Sequence, residues 1–185
     1  AKEVIVLNEL RKHLTAEGEK AALSEIEKNN YEKDKVMVVF CPNVNESVAG
    51  IVAGWLKERF YKPVIVFTGE EEVLKASARS IEGYNIFEEL SKFRNLFIKF
   101  GGHALAAGLS MKKEFLDDLR RGLNLNCNLQ EESFVPVFRL ESELKIKDMN
   151  LGLAKTIESL APFGKGNETP IFGTKNCLLE KITFM

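Results

Sequence analysis

Apolar residues from Leu7 to Lys28 recur at helical spacing: Leu7, Leu10, Leu14, Ala21, Ala22 and Ile26 share one face, and charges fill the rest. The pattern predicts a long amphipathic helix, weakened at Gly18 and ended by Asn29-Asn30. The pattern then changes period. Lys35-Val36-Met37-Val38-Val39-Phe40 is a short apolar run, as expected of a buried strand. A loop follows at Cys41–Asn45, then Glu46–Phe60 with Val48, Ile51, Val52, Leu56 and Phe60 at helical spacing. Pro63 introduces a second apolar run, Val64–Phe67, closed by Thr68-Gly69. Strand, loop, helix, strand in this order predicts a βαβ unit with a parallel pair. Ligands of such sheets sit beyond the carboxyl ends of the strands, where the Asn43–Ser47 loop falls.

Further along, Ser77-Ala78-Arg79-Ser80-Ile81 reads as another strand. Asn85 with Glu88 three residues on forms a capping box, and Ile86, Leu90, Phe93 and Phe97 continue as one helical face. Gly101-Gly102 then fits the end of that helix, and His103–Met111 the next strand. Glu114–Leu123 predicts a further helix through Phe115, Leu116 and Leu119. The polar run Asn124–Asn128 suggests a domain boundary. Beyond it, Val135–Leu140, Ile171-Phe172 and Cys177-Leu178-Leu179 read as strands, Leu151–Leu160 as a helix, and Pro162–Asn167 as a tight loop. The apolar ending Ile182–Met185 and the start at Ala1, without Met or a signal pattern, are expected of a piece of a longer chain.

Composition narrows the class. The 185 residues are 45% hydrophobic and 29% charged, with a net charge of −1. That is a globular composition without overall basic character. No window approaches about 18 uninterrupted apolar residues, so no membrane helix is expected. Three widely spaced cysteines, Cys41, Cys127 and Cys177, argue against a disulfide framework or zinc site and fit a reducing cytoplasm. Local charge is more telling. Lys92, Arg94, Lys99, Lys112, Lys113, Arg120 and Arg121 flank the glycine pair, although each also fits a solvated helix face.

Candidate chemistry is sparse. There is no Gly-x-Ser-x-Gly elbow, and no Asp-rich cluster accompanies the two histidines, His13 and His103. Two elements stand out. Arg79 between the hydroxyls of Ser77 and Ser80 offers a rigid fork of donors for a phosphate, or is a single surface arginine. The run Gly101-Gly102-His103-Ala104-Leu105-Ala106-Ala107-Gly108 combines close backbone approach with one titratable ring. His103 could bind phosphate, act as an acid, ligate a metal or simply bond to backbone. Gly164-Lys165-Gly166-Asn167 reads as a phosphate nest or a plain turn. Asn43 and Asn45 read as ligand contacts or as loop and cap residues.

Together these motifs resemble one family. Gly101–Gly108 matches the GGHxxAAG signature of the DHH-associated domain in the DHH phosphoesterase superfamily, and Ser77-Ala78-Arg79-Ser80 matches its usual companion. Ser47–Ala53 resembles the superfamily's GVIGIVA helix start. Leu160–Asn167 resembles the LxPFGxGNP element of the RecJ exonuclease family. Departures are Val44-Asn45 in place of the frequent Trp-His, Ser47 and Ala76 in place of Gly, and Glu168 in place of Pro.

The resemblance implies an α/β fold: a small mixed or largely parallel sheet with flanking helices. It implies a linker helix over 1–30, a substrate-binding domain over 31–126 and an incomplete OB-like β segment over 127–185. It implies the substrate-binding part of a 5′→3′ single-stranded-DNA exonuclease of DNA repair and recombination. Mn²⁺ or Mg²⁺ would sit on a preceding DHH domain and none on this chain. By the same resemblance, Ser77, Arg79, Ser80, Gly101, Gly102 and His103 would contact substrate phosphates, with His103 in a supporting catalytic role and Asn45 as a loop contact. Expected partners are single-stranded DNA, the DHH domain and a single-strand-binding protein, with no membrane. Two other readings share the glycine motif: a phosphodiesterase for short oligonucleotides or cyclic dinucleotides, and a non-catalytic docking module.

Overall fold

The computed structural model describes residues 2–69, 71–137, 139–178 and 181–183. The chain divides into two compact units, 1–136 and 137–185.

The first unit is built on a five-stranded mixed sheet. Helix α1 (Lys2–Asn29) leads to β1 (Met37–Phe40), α2 (Glu46–Phe60), β2 (Val64–Thr68) and β3 (Val73–Arg79). Then come α3 (Ile86–Ser91), β4 (Phe97–His103), β5 (Ala106–Lys112) and α4 (Leu116–Asn126). The strand order is β1-β2-β3-β5-β4. Only β1 and β2 run parallel; the other three pairings are antiparallel, so the sheet is mixed rather than largely parallel.

Alternation along the strands sorts two cores onto two faces. Val38, Ile65, Phe67, Leu74, Ala78, Leu109 and Met111 face α3 and α4, where Ile86, Leu90, Leu119 and Leu123 are buried. Met37, Val39, Val64 and Val66 face the other way, under α2 and the C-terminal half of α1. Helix α2 buries Val48, Ala49, Val52, Ala53 and Leu56, whereas Ile51 lies on its exposed side, outside the expected face. Helix α1 also departs from expectation. Ala22 and Ile26 are buried, but Leu7 and Leu10 are exposed. A helix of 28 residues is about 42 Å long and outreaches the 15 residues of α2, which span about 22 Å. Gly18 brings the two helices close: a Cβ there would lie 2.9 Å from Val52 Cγ2.

The edge at β1 is protected by α4. Arg120 Nε and Nη2 donate to the Val38 carbonyl at 3.1 and 3.0 Å. Asn124 exchanges two bonds with Val36, through Oδ1 at 3.1 Å and Nδ2 at 2.9 Å. Side chains thus satisfy backbone groups that would otherwise template another strand.

The largest correction concerns residues 92–111. The helix begun at the Asn85 cap ends at Ser91, and Arg94–Leu96 form one 3₁₀ turn. Phe97 is the first residue of β4, not the last of a helix. Gly101 and Gly102 lie inside that strand, and the expected strand His103–Met111 is broken by a two-residue turn, Ala104-Leu105. Residues 97–112 are therefore a hairpin. Gly102 has φ +156°, and a Cβ there would lie 2.4 Å from the Ala106 carbonyl oxygen. Only glycine fits.

The second unit has a two-residue parallel pair, β6 (Ser142–Glu143) with β7 (Phe172–Gly173), and helix α5 (Leu151–Glu158) capped by Asn150. Of the expected strands, Val135–Leu140 is not extended into a ladder at its described positions, and Phe138 lies outside the described residues. Cys177 and Leu178 join no ladder. Leu179, Phe184 and Met185 lie outside the described residues. Gly164 and Asn167 exchange both backbone bonds, at 2.8 and 2.9 Å. Asn167 Nδ2 also donates to the Leu160 and Pro162 carbonyls. The N–H groups of Gly164 and Asn167 and the Asn167 amide are thus spent within a closed turn.

Candidate nucleic-acid interface

The α2 face of the sheet is covered on only one half. Cross-strand register makes the rows explicit. Arg79 pairs with Ala106, and Ala106 with His103. Ser77 pairs with Gly108, and Gly108 with Gly101. Lys75 pairs with Ser110, and Ser110 with Lys99. Along each row the outer members are two strand spacings apart, about 10 Å. On β1 and β2 this face carries valines beneath α2. On β3, β5 and β4 it carries Lys75, Ser77, Arg79, Lys99 and His103 around a floor of Ala106, Gly108, Ser110 and Gly101.

Helix α2 walls this open half, leaving a cleft of about 530 Å³ between Glu46 and Ala49 on one side and Lys99 and Gly101 on the other. Small side chains keep the floor low. A Cβ at Gly101 would meet nothing within 4 Å, and one at Gly108 only the Ala76 carbonyl oxygen at 3.9 Å. Packing within the protein does not require glycine at either position. The space they leave is space in the cleft.

Arg79 Nη1 donates to the Ala78 carbonyl at 2.8 Å, and among the described residues it has no ion-pair partner. A guanidinium held by one of its five donors keeps the others for an anion. His103 is exposed, and its Nδ1 accepts from the Leu105 N–H at 3.3 Å. Glu46, the one carboxylate lining the cleft among the described residues, pairs with Lys75 at 2.7 Å. Lys99 has no hydrogen-bond or ion-pair partner among the described residues, so the cleft carries excess positive charge.

The structure separates three predicted residues from this group. Gly102 has opposite parity to Gly101: it pairs with Ala107, whose side chain lies in the core on the α3 and α4 face, so its role is in the hairpin and not in the cleft. Ser80 lies one residue past the end of β3, with opposite parity. It is buried, and its Oγ donates to the Tyr84 carbonyl at 2.7 Å while its N–H donates to the Leu105 carbonyl at 2.9 Å. It ties the hairpin tip to the end of β3. Asn45 caps α2, its Oδ1 accepting from Ser47 N at 2.9 Å and Ser47 Oγ at 2.7 Å. It lines a recess against Leu14 and Gly18 of α1, outside the cleft. Asn43 lines the same recess and also a hollow at the carboxyl ends of β1 and β2, beside Gly69.

Of the basic residues flanking the glycine pair, Lys99 alone lines the cleft. Lys92 pairs with Glu89, Arg120 with Asp117 and Arg121 with Asp118. Lys112 lies within 4 Å of Glu72 and Glu114, at 3.6 and 3.7 Å. Lys75 and Ser110 escaped sequence reasoning. Both follow from the motif residues by counting in twos along a strand.

Comparison with known proteins agrees with this fold. Residues 33–128 match the DHHA1 domain family, and residues 140–185 match the RecJ OB domain. The chain is 36% identical over 186 residues to the single-stranded-DNA-specific exonuclease RecJ of Bacillus subtilis, covering 98% of this chain and 24% of that protein. The crystal structure of Thermus thermophilus RecJ in complex with Mg²⁺ superposes with a TM-score of 0.79 at 23% identity, over 92% of this chain and 26% of that one. The Mn²⁺ complex from the same source gives 0.74 at 25% identity, over 92% and 25%. The chain thus spans about a quarter of the length of these proteins. It belongs to the DHHA1 domain family, with a further segment similar to the RecJ OB domain.

Proposed function

We propose that this chain grips and positions single-stranded DNA for a 5′→3′ exonuclease of DNA repair and recombination. The observation that carries the reading is the open half-sheet: Arg79, Ser77, Lys75 and Lys99 surround a glycine floor low enough for a sugar-phosphate backbone. Phosphate contacts of this kind position a strand without reading its sequence. Arg79 and Ser77 hold phosphate oxygens. His103, exposed at the hairpin end of the same sheet face, supports catalysis by orienting the substrate.

Among the described residues, no group of three or more His, Cys, Asp or Glu side chains converges to hold a metal ion. The described residues do not fit a Mn²⁺ or Mg²⁺ centre. In this reading the metal ions sit on a DHH domain of the same longer protein, and this chain supplies grip. Single-stranded DNA, that DHH domain and a single-strand-binding protein are its partners, in the cytoplasm. Among the described residues no helix is long and apolar enough to cross a membrane.

The test is a titration of fluorescein-labelled oligothymidylate with the chain at several salt concentrations, without metal. The expected result is salt-dependent binding, with Arg79→Ala lowering the slope of log K against log salt by about 0.7, one single-strand phosphate contact. Salt-independent or absent binding would leave the docking-module reading. Binding of dinucleotides as tight as that of long strands would favour the short-oligonucleotide phosphodiesterase.

A further inference from the structure

We infer that Gly50 of α2 is a positioning residue for Arg79: its bare Cα forms the slot that holds the guanidinium at the edge of the cleft. The inference rests on the reading of Arg79 as a phosphate ligand.

Glycine inside a helix is unfavourable relative to alanine, so one in the middle of α2 calls for a local cause. Backbone conformation does not supply it, because Gly50 is not among the positive-φ glycines. Hydrophobic packing does not supply it either. A Cβ at Gly50 would lie 2.9 Å from Arg79 Nη2, 3.6 Å from Arg79 Cζ and 3.5 Å from Ser77 Oγ. These are its three nearest atoms, and all belong to the two side chains assigned to phosphate. Gly54, one turn on, shows the contrast: a Cβ there would meet nothing within 4 Å.

The guanidinium is thus held from two sides. Nη1 is tethered to the Ala78 carbonyl at 2.8 Å, and Nη2 lies in the space left by Gly50, 2.9 Å from where a Cβ would sit. A methyl group at position 50 would displace the tip of a flexible side chain and not the backbone. The fold should therefore tolerate alanine while the guanidinium moves. Preorganised donors avoid reorganisation when the anion arrives, and a displaced one loses that advantage.

The experiment is a double-mutant cycle on the chain, with Gly50→Ala, Arg79→Ala and both together. Thermal unfolding and oligothymidylate affinity at fixed low salt are measured for each. Gly50→Ala is expected to keep or raise the unfolding temperature and to weaken binding about tenfold, the scale of one charge-assisted hydrogen bond. In the Arg79→Ala background it should cost nothing further. Wild-type affinity in Gly50→Ala, alongside a loss in Arg79→Ala, overturns the inference. So does a full additional loss in the double variant, which would mean that the methyl obstructs DNA directly. If Arg79→Ala itself binds like wild type, the phosphate role of Arg79 fails, and the positioning role falls with it.

Discussion

Arg79 and His103 pair with the same residue, Ala106, from opposite sides. Two motifs separated by more than twenty residues of sequence thereby meet on one face, two strands apart. The pairing depends on the β4–β5 hairpin, and the hairpin depends on Gly102. A Cβ at Gly102 would lie 2.4 Å from the Ala106 carbonyl oxygen and 2.6 Å from Ala107 Cα, both backbone. Gly102→Ala should destabilise the first unit by at least about 2 kcal/mol. Urea unfolding followed by circular dichroism measures this, and an unchanged midpoint would refute the close approach.

Glu46 works against an anionic ligand. Its carboxylate lines the cleft and pairs with Lys75 at 2.7 Å, with both side chains largely exposed. Exposed pairs are worth about 0.2–1 kcal/mol. Glu46→Gln should release Lys75 and tighten oligothymidylate binding by about two- to fivefold at low salt. The same change removes an acid from the first turn of α2 and should lower stability slightly. Weaker binding would mean that Glu46 organises the site and does not oppose the ligand.

The thiols report on the integrity of the first unit. Burial pushes the Cys41 thiol up to about 12 from its ordinary 9.0. Cys127 is buried and Cys177 exposed. Since the thiolate is the nucleophile, an aromatic disulfide reagent at pH 8 should titrate one thiol quickly in the native chain and three in guanidinium. The fold holds Cys41 protonated, so its contribution to stability is full below the ordinary thiol value and is lost as pH rises towards about 12. Rapid reaction of all three thiols in the native state would contradict the buried placements.

Legibility in the sequence followed the strength of the periodic signal. The β1-α2-β2 unit was readable because its strands are uninterrupted apolar runs and α2 begins at an Asn cap and a change of period. Strand β4 was not. Its register shifts between Phe97 and Lys99, which breaks alternation, and Gly101 and Gly102 contribute no side chains to a pattern. Phe93 and Phe97 then fall by accident at helical spacing. At the site, Ser77, Arg79 and the glycine motif were visible as residue types. Their placement on one face was not, because it passes through β5 register. Ser80 was misplaced because parity alone separates it from Arg79, and Lys75 was missed because it lies just ahead of the recognisable motif.

The central claim is that the open half-sheet is where a nucleic-acid backbone lies, and Gly108 tests it most directly. It sits between Ser77 and Gly101 at the centre of the floor, and a Cβ there makes only an ordinary contact, 3.9 Å from the Ala76 carbonyl oxygen. Valine suits a strand better than glycine. Gly108→Val should therefore keep or raise the unfolding temperature while its side chain fills the cleft. The measurement is oligothymidylate affinity of this variant against wild type at matched salt. The account predicts a folded protein with binding weakened by at least about tenfold, or 1.4 kcal/mol. A folded Gly108→Val protein that binds as tightly as wild type would place the DNA elsewhere.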